Sequence, residues 1–392
     1  MNKAFRYLLY PNREQAEAMA SLLNTHRHLY NSALAERKSS YETQKRTVGY
    51  QEQSAHLKTS RKENPDLAVA NFSSCQRTLK RLDRAFQAFF RRIKSGETPG
   101  YPRFRGYGRF DSVEFTHDDG AKLTTDGRAY FQNVGEVKVK MHRPVEGKLK
   151  TVTFCHQAGR WYVVFVCDVP DVEMEPSEKP AVGIDLGLKS FFVTSDGEEV
   201  KPPKFYRKAQ KKLRRVQRAV SRKRKGGRNR RKAVQHLARV HQHVGNQRKD
   251  WHHKTALSLV CRYGLIAHED LNVKGIARTR LAKSTHDAGW SQFLGILSRK
   301  AESAGVRTVG VNPRNTTQTC SNCGRLPAVS LQLSERMYHC AFCGFQADRD
   351  FNAARNILSG IYFQEYTLQG GDTAFGSQRR PVGHAFPKKP AP

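Results

Sequence analysis

The sequence predicts a composite fold in which a helical module and an all-β module precede an α/β domain. Three changes of pattern predict it. Over the first hundred residues apolar side chains recur at helical spacing. After residue 100 they alternate along short runs bounded by turn residues, and from residue 181 apolar strands alternate with amphipathic helices.

Residues 3–9, KAFRYLL, suit a short strand that ends at the turn signal YPN. From Arg13 to about Thr43, Ala16, Met19, Leu22, Leu23, Tyr30, Leu34 and Tyr41 recur near helical spacing, and a second helix is expected over 50–60. A third starts near Asn71, carries Leu79, Leu82, Ala85, Phe86, Phe89 and Phe90 on one stripe, and stops at Gly96. After GETPGYPRFRGYGRF, the runs SVEFTH, RAYFQ, EVKVKM, KLKTVTFCH and RWYVVFVCDV predict a β-barrel or small antiparallel sheet, with HQAGR closing the last hairpin. The acidic, Pro-bearing VPDVEMEPSEKP reads as a linker.

The α/β domain opens with AVGIDLGLKSFFVTSDGEEV, a buried strand turning into a second one. Between Lys201 and Asp250 there are twenty Lys or Arg and one acid. Leu213, Val216, Val220, Val234, Leu237, Val240 and Val244 lie at helical spacings there, and KRKGGRNRR breaks the run. A basic helical hairpin over 204–250 follows. A helix through WHHKTALSLVCRY then leads into the strand GLIAHEDL, and the helix GWSQFLGILSRKAESAG leads into VRTVGVNP. Residues 366–392, rich in Gly, Pro and cations, are expected to be a largely disordered tail. No internal repeat is visible.

Lys and Arg outnumber Asp and Glu by 69 to 35, for a formal net charge of +34. Such an excess favours a polyanionic partner, because each neutralised phosphate releases condensed counterions. No apolar run reaches the roughly 18 residues of a membrane span, and the N-terminus lacks a signal-peptide pattern, so a cytoplasmic protein without a membrane partner is expected. Cys75, Cys155, Cys167 and Cys261 lie singly in apolar or helical stretches and read as reduced core residues.

The remaining cysteines, Cys320, Cys323, Cys340 and Cys343, form C-x2-C-x16-C-x2-C, each pair followed by a glycine. Four thiolates can surround one Zn2+ tetrahedrally and leave no open position, so the site is structural; two disulfides are the alternative. Asp185 in VGIDLGLK and Glu269 after GLIAH sit near the ends of apolar strands, while Asp348 and Asp350 precede FNAARNIL. Singly, each is a strand-end or capping acid. Together, three acids from two strand ends and a helix start can converge on one sheet edge, where they would repel one another unless cations filled the site. One or two Mg2+ ions shared with a substrate phosphate meet that requirement. Gly183 and Gly187 would let bulky backbone approach Asp185.

In order, GIDLGLKS, IAHEDLNVKGI and the four-cysteine module ending in DRDFNAARNI resemble the RuvC-like nuclease domain of the TnpB family, the transposon-encoded RNA-guided DNA endonucleases related to type V CRISPR effectors. The resemblance continues upstream through YPNREQ, LDRAFQAFFRR and YPRFRGYGRFDSVEF and covers nearly the whole chain except the tail. It implies an N-terminal wedge β-barrel (1–12 and 100–178) interrupted by a helical recognition domain (13–99). A RuvC/RNase H-like domain (179–315 and 345–365) with an inserted four-Cys zinc finger (316–344) would follow. It also implies Asp185, Glu269 and Asp350 as metal-binding catalytic residues, Asp350 rather than Asp348 because the family's acid lies two residues before the Asn here numbered Asn352. The implied partners are a guide RNA from the transposon end and double-stranded target DNA, met by a monomer within a ribonucleoprotein. A prokaryotic cytoplasmic enzyme, nucleoid-associated when on DNA, is the corresponding location. Base pairing would supply specificity, while the protein reads a short adjacent motif.

By the same resemblance Tyr50, Ser54, Gln76 and Thr116 fall near positions that contact the adjacent motif. Lys211, Arg214, Arg215, Arg222, Lys223 and Arg224, with Arg103 and Arg105, would track phosphate and position the nucleic acid. A guide-RNA-dependent repressor without cleavage would be expected to have lost one of the three acids. A RuvC-type resolvase or transposase acting without RNA leaves the helical N-terminal region unexplained, and a zinc-ribbon RNA-binding protein without chemistry leaves the acids unexplained.

Overall fold

The computed structural model describes residues 1–171, 178–332 and 334–368. The chain divides into two compact units, one ending at Asp171 and the other holding the described residues from 178 onward. Residues 172–177, half of the acidic linker, and the tail beyond residue 368 lie outside the described residues.

In the first unit, β1 (Asn2–Tyr10) precedes four helices, α1 (Arg13–Gln44), α2 (Tyr50–Glu63), α3 (Pro65–Val69) and α4 (Phe72–Lys94). Six strands follow: β2 (Ser112–His117), β3 (Gly120–Leu123), β4 (Ala129–Phe131), β5 (Gly135–Lys140), β6 (Lys148–Gln157) and β7 (Arg160–Asp168). The seven strands form a closed barrel in the order β1-β5-β4-β3-β2-β6-β7. β1 closes it by pairing antiparallel with both β5 and β7, so the helices interrupt the barrel between its closing strand and the other six. Alternate residues Phe5, Tyr7 and Leu9 of β1 enter a core shared with Phe115, Phe131, Phe154 and Phe165.

Local chemistry sets the boundaries. Asn12 and Gln15 form a reciprocal capping box on α1: the Gln15 amide donates to Asn12 Oδ1 at 2.8 Å, and the Asn12 amide donates to Gln15 Oε1 at 3.1 Å. Asn71 caps α4 and also donates from Nδ2 to Asp119 and Gln132 at 2.9 and 3.0 Å, tying that helix to the barrel. The β6–β7 hairpin turns at Ala158 and Gly159, both at positive φ, as the expected two-residue turn requires. Two details differ from expectation. β3 has no alternation to announce it and pairs parallel to β2, across a loop in which Asp118 takes a positive φ. Phe90, expected on the apolar stripe of α4, is exposed.

The second unit is built on a five-stranded sheet. Its elements are β8 (Ala181–Leu186), β9 (Phe192–Thr194), β10 (Glu199–Val200), α5 (Phe205–Ser221), α6 (Arg228–Arg262), β11 (Leu265–Glu269), α7 (Val273–Ile276), α8 (Ala282–Ala288), α9 (Trp290–Glu302) and β12 (Arg307–Val311). A two-stranded ribbon, β13 (Met337–His339) and β14 (Gln346–Asp348), leads into α10 (Arg349–Leu368). The sheet order is β10-β9-β8-β11-β12, antiparallel as far as β8 and parallel beyond it.

Several expectations are corrected here. The basic hairpin does not end at residue 250, because α6 runs without a break through WHHKTALSLVCR to Arg262; nothing between Asp250 and Trp251 stops a helix. Cys261 is exposed near the end of α6, one residue past the buried Leu259 and Val260, and Cys155 is half-buried; Cys75 and Cys167 are buried as expected. Residues 366–368, assigned to the tail, belong to α10. Among the described residues, no helix is long and apolar enough to cross a membrane.

The two faces of the sheet have different covers. Val182, Ile184, Leu186 and Ile266 pack against Ala256, Leu259 and Val260 of α6 and Phe293, Ile296 and Leu297 of α9. On the other face Ala267 and Val311 meet Ile357 and Ile361 of α10, two side chains whose burial contributes about 1.5–3 kcal/mol each. α10 sits very close to β8. A Cβ at Gly183 would collide with the Ala354 carbonyl oxygen and lie 2.7 Å from the Leu358 amide nitrogen. Gly183→Ala is therefore expected to lift α10 and destabilise the protein by about 1–3 kcal/mol in a denaturant titration. Unchanged stability would show that the helix can move without penalty.

Candidate active site and four-cysteine metal centre

Asp185 and Glu269 end adjacent parallel strands. Ile184 of β8 lies opposite His268 of β11, so the next residue on each strand is an acid. Side chains alternate along a strand, which gives Asp185 the face of Gly183 and Glu269 the face of Ala267. That is the face covered by α10. Both acids are nearly buried, at 9% and 6% exposure. Asp350 lies in the first turn of α10. The neighbouring Asp348 caps that turn, its Oδ1 accepting from the Asp350 amide at 2.8 Å. Arg349 Nε and Arg336 Nη1 approach Asp350 Oδ1 at 3.7 and 3.9 Å, distances at which an ion pair is weak.

The electrostatics record the crowding. Asp185 is pushed up to about 8, first by burial and then by the negative charges of Glu269 and Asp350, against which Arg349 works. Burial also raises Glu269, opposed by a hydrogen bond from the Thr316 hydroxyl. Thr316 is buried in the loop after β12, and α10 holds that loop. Asn356 donates to the Thr316 and Thr319 carbonyl oxygens at 2.8 and 2.6 Å. Asn352 donates to the Thr319 carbonyl oxygen at 2.8 Å and accepts from the Ser321 amide, also at 2.8 Å. Sequence reasoning missed Thr316 and Asn356. The available signal was a pair of asparagines at i and i+4 inside a helix, a position where Asn is unfavourable unless its amide bonds elsewhere.

The loop leads directly into the cysteines. Their four sulfurs lie within 4.8 Å of one another, and among the described residues they are the group of His, Cys, Asp or Glu side chains placed closely enough to hold a metal ion. Cys320 and Cys343 Sγ are 3.7 Å apart, and Cys323 and Cys340 Sγ 3.6 Å. A tetrahedron with metal–sulfur bonds of about 2.3 Å has edges of about 3.8 Å, whereas a disulfide is about 2.0 Å long. The donor set therefore fits one closed, four-coordinate ion. The two knuckles repeat one geometry: Gly324 and Gly344 at positive φ donate to the Cys320 and Cys340 carbonyl oxygens at 2.9 and 3.0 Å. Cys343 is lowered to about 6, by the Phe345 amide first and then by Asn322, while burial pushes Cys323 up to about 12. A nearby dication would offset that second effect.

The residues expected on nucleic acid fall into separate groups. Gln76 Nε2 donates to Ser54 Oγ at 3.2 Å, joining α4 to α2, and Tyr50 starts α2 with its ring against the core. Thr116 on β2 accepts from Arg77 at 3.3 Å, and Arg77 also pairs with Glu114 at 2.9 Å. In the other unit Lys211, Arg214 and Arg215 on α5, and Arg222, Lys223 and Arg224 after it, are all exposed. Leu213 and Val216 on the opposite face of α5 pack against Val240 of α6. Arg103 and Arg105 are exposed in the segment before β2.

Comparison with known proteins bears on the whole chain. The family profile described as "Probable transposase", OrfB of IS605, matches residues 164–280; "Cas12f1-like, TNB domain" matches 290–357 and "Helix-turn-helix domain" matches 1–46. A Streptomyces pristinaespiralis protein named for RNA-guided DNA endonuclease activity is 34% identical over 369 residues, 92% of this chain and 89% of its own length. The chain belongs to the TnpB family. A TnpB-like protein of Acanthamoeba polyphaga mimivirus is 30% identical over 242 residues, 56% of this chain and 45% of its own. The fold of this TnpB-family chain also resembles Cas12f1 in a complex with guide RNA and target DNA. That match has a TM-score of 0.57 at 16% identity, covering 88% of this chain and 83% of the other.

Two outcomes are expected. Cys320→Ser should lower folded yield and metal content together, read by soluble expression and elemental analysis; normal values for both would reject a structural metal. Asp185 binds a proton when folded and loses it when unfolded between about pH 4 and 8, so its contribution to stability is complete near pH 4 and lost as pH rises toward 8. Without added magnesium, Asp185→Asn should be more stable than the parent at pH 8, by about 2 kcal/mol or more, with the gap closing toward pH 4. Thermal unfolding across that range checks it, and a gap independent of pH would contradict it.

Proposed function

We propose that this chain is an RNA-guided DNA endonuclease of a transposon. It holds a guide RNA from the transposon end, recognises a short motif beside its target on duplex DNA, and hydrolyses target phosphodiesters at a RuvC-like site. The observation that carries the proposal is the pairing of Asp185 with Glu269 at adjoining ends of β8 and β11, on the face that carries α10 and Asp350. Despite the chain's +34 net charge, burial and the neighbouring carboxylates push Asp185 strongly toward neutrality. A site that opposes its own ionisation in this way is suited to divalent cations. The mixed sheet, antiparallel on one side of β8 and parallel on the other, supports the RuvC/RNase H-like assignment.

Asp185, Glu269 and Asp350 would hold one or two Mg2+. Bound there, Mg2+ supplies Lewis-acid chemistry that lowers the pKa of water and offsets charge on the leaving oxygen. The chain's own residues fix the ligands: the Thr316 hydroxyl orients Glu269, the Asp348 cap anchors the turn that carries Asp350, and Gly183 lets α10 lie against β8. The four cysteines would hold one Zn2+, which fastens the loop bearing Thr316. The exposed cations of α5 and of 222–224 would hold phosphate without reading sequence. Tyr50, Ser54, Gln76 and Thr116 are assigned to the adjacent motif, and the working particle is a monomer with its RNA.

The test is to purify the protein from cells carrying its native flanking DNA, sequence the bound RNA, and challenge the particle with a matching target library and Mg2+. A discrete RNA and target cleavage are expected. Asp185→Ala should reduce cleavage by more than about a hundredfold, beyond what outer-shell changes at metal sites cause, while guided binding persists. Discrete RNA without cutting by the parent protein would favour the repressor, and absence of bound RNA the resolvase. Loss of binding along with cutting in the variant would count against Asp185 as a metal ligand.

A further inference from the structure

Residues 84–109 carry seven Lys or Arg and one acid, Glu97. Within this stretch the end of α4 gathers an aromatic cluster. The ring centres of Phe86 and Phe89 lie 5.5 and 5.4 Å from that of Tyr101, and Phe89 is 5.2 Å from Phe90. The segment that follows is anchored at both ends by buried residues, Pro102 and Phe110. Its middle is pinned to α1: the Arg105 amide donates to Asn31 Oδ1 at 2.8 Å, and Asn31 Nδ2 donates to the Arg105 carbonyl oxygen at 2.9 Å.

Between those anchors the chain turns outward. Arg105-Gly106-Tyr107-Gly108-Arg109 reverses direction with the Arg109 amide donating to the Gly106 carbonyl oxygen at 3.0 Å and Gly108 at a φ of 69°. Tyr107 stands at the tip, 87% exposed, and Phe104 beside the turn is 54% exposed. Phosphate binding explains the arginines and leaves these rings unexplained. A ring displayed at the tip of a turn, with Arg105 and Arg109 two positions to either side of it in sequence, matches the face of an unpaired base, since a duplex hides its base faces and a single strand offers them.

We propose that the Arg105–Arg109 turn, with Phe104, is a stacking platform for an unpaired stretch of RNA, with Tyr107 against a base and Arg103, Arg105 and Arg109 along the backbone. The RNA's identity as the guide rests on the function proposed above. RNA is the occupant because a guide stays with the protein and keeps the rings covered, whereas target DNA is present only during a search or a cut.

The experiment uses the full-length protein freed of nucleic acid. Binding of single-stranded oligouridylate and of an RNA duplex of equal length is measured for the parent, Tyr107→Ala and Tyr107→Trp. Tyr107→Ala should bind the single strand about tenfold more weakly and the duplex within twofold of the parent, while Tyr107→Trp keeps parental affinity for both. Ultraviolet cross-linking of the particle purified from cells, with target DNA present, should join the Tyr107 peptide to RNA. Unchanged single-strand affinity in Tyr107→Ala, an equal loss on duplex, or a cross-link to DNA or protein instead of RNA would overturn the proposal. If the parent carries no discrete RNA yet Tyr107→Ala selectively loses oligouridylate, the guided-nuclease function fails and the platform stands.

Discussion

The contact between α10 and β8 at Gly183 governs the second unit. It leaves no room for a side chain on the strand, and it places the first turn of α10 on the side of the sheet to which Asp185 and Glu269 point. Three other features hold the same helix in register. Ile357 and Ile361 fill the apolar seat, Asn352 and Asn356 bind the loop before the first cysteine, and Asp348 closes the N-terminal turn. Because that loop also carries Thr316, the four-cysteine module, the helix and Glu269 form one connected hydrogen-bonded assembly.

The assembly stabilises an arrangement that burial and charge oppose. Carboxylates taken out of water resist ionisation, and neighbouring carboxylates resist it further, as the upward displacement of Asp185 records. Arg349 offsets this only in part, and Arg336 and Arg349 meet Asp350 only at long range. A compact dication held by several oxygens would relieve it. On the proposed function the acidic site and the basic surface would have complementary roles, the first holding metal and the second attracting a polyanion.

Much of this was legible in the sequence because it depends on local pattern. Period-two alternation marked six of the seven barrel strands, glycines after each cysteine pair marked the knuckles, and apolar runs ending in acids marked β8 and β11. β3 escaped because GAKL is short and pairs parallel to its neighbour through an unusual turn. The continuity of α6 escaped because Trp251 begins a fresh apolar pattern without any helix-stopping residue before it. Thr316 and Asn356 escaped because their partners lie 47 and 40 residues away in sequence, and a side chain's distant partner leaves no periodic trace. The exposure of Tyr107 was equally invisible, since an aromatic between glycines can turn either inward or outward.

The most direct test of this account is a crystal of the protein grown with Mn2+ and examined by anomalous scattering at the manganese edge. The account predicts one or two peaks bound by carboxylate oxygens of Asp185, Glu269 and Asp350, lost in Asp185→Asn. Manganese absent from that face of the sheet, with the three acids retaining the arrangement seen here, would contradict it.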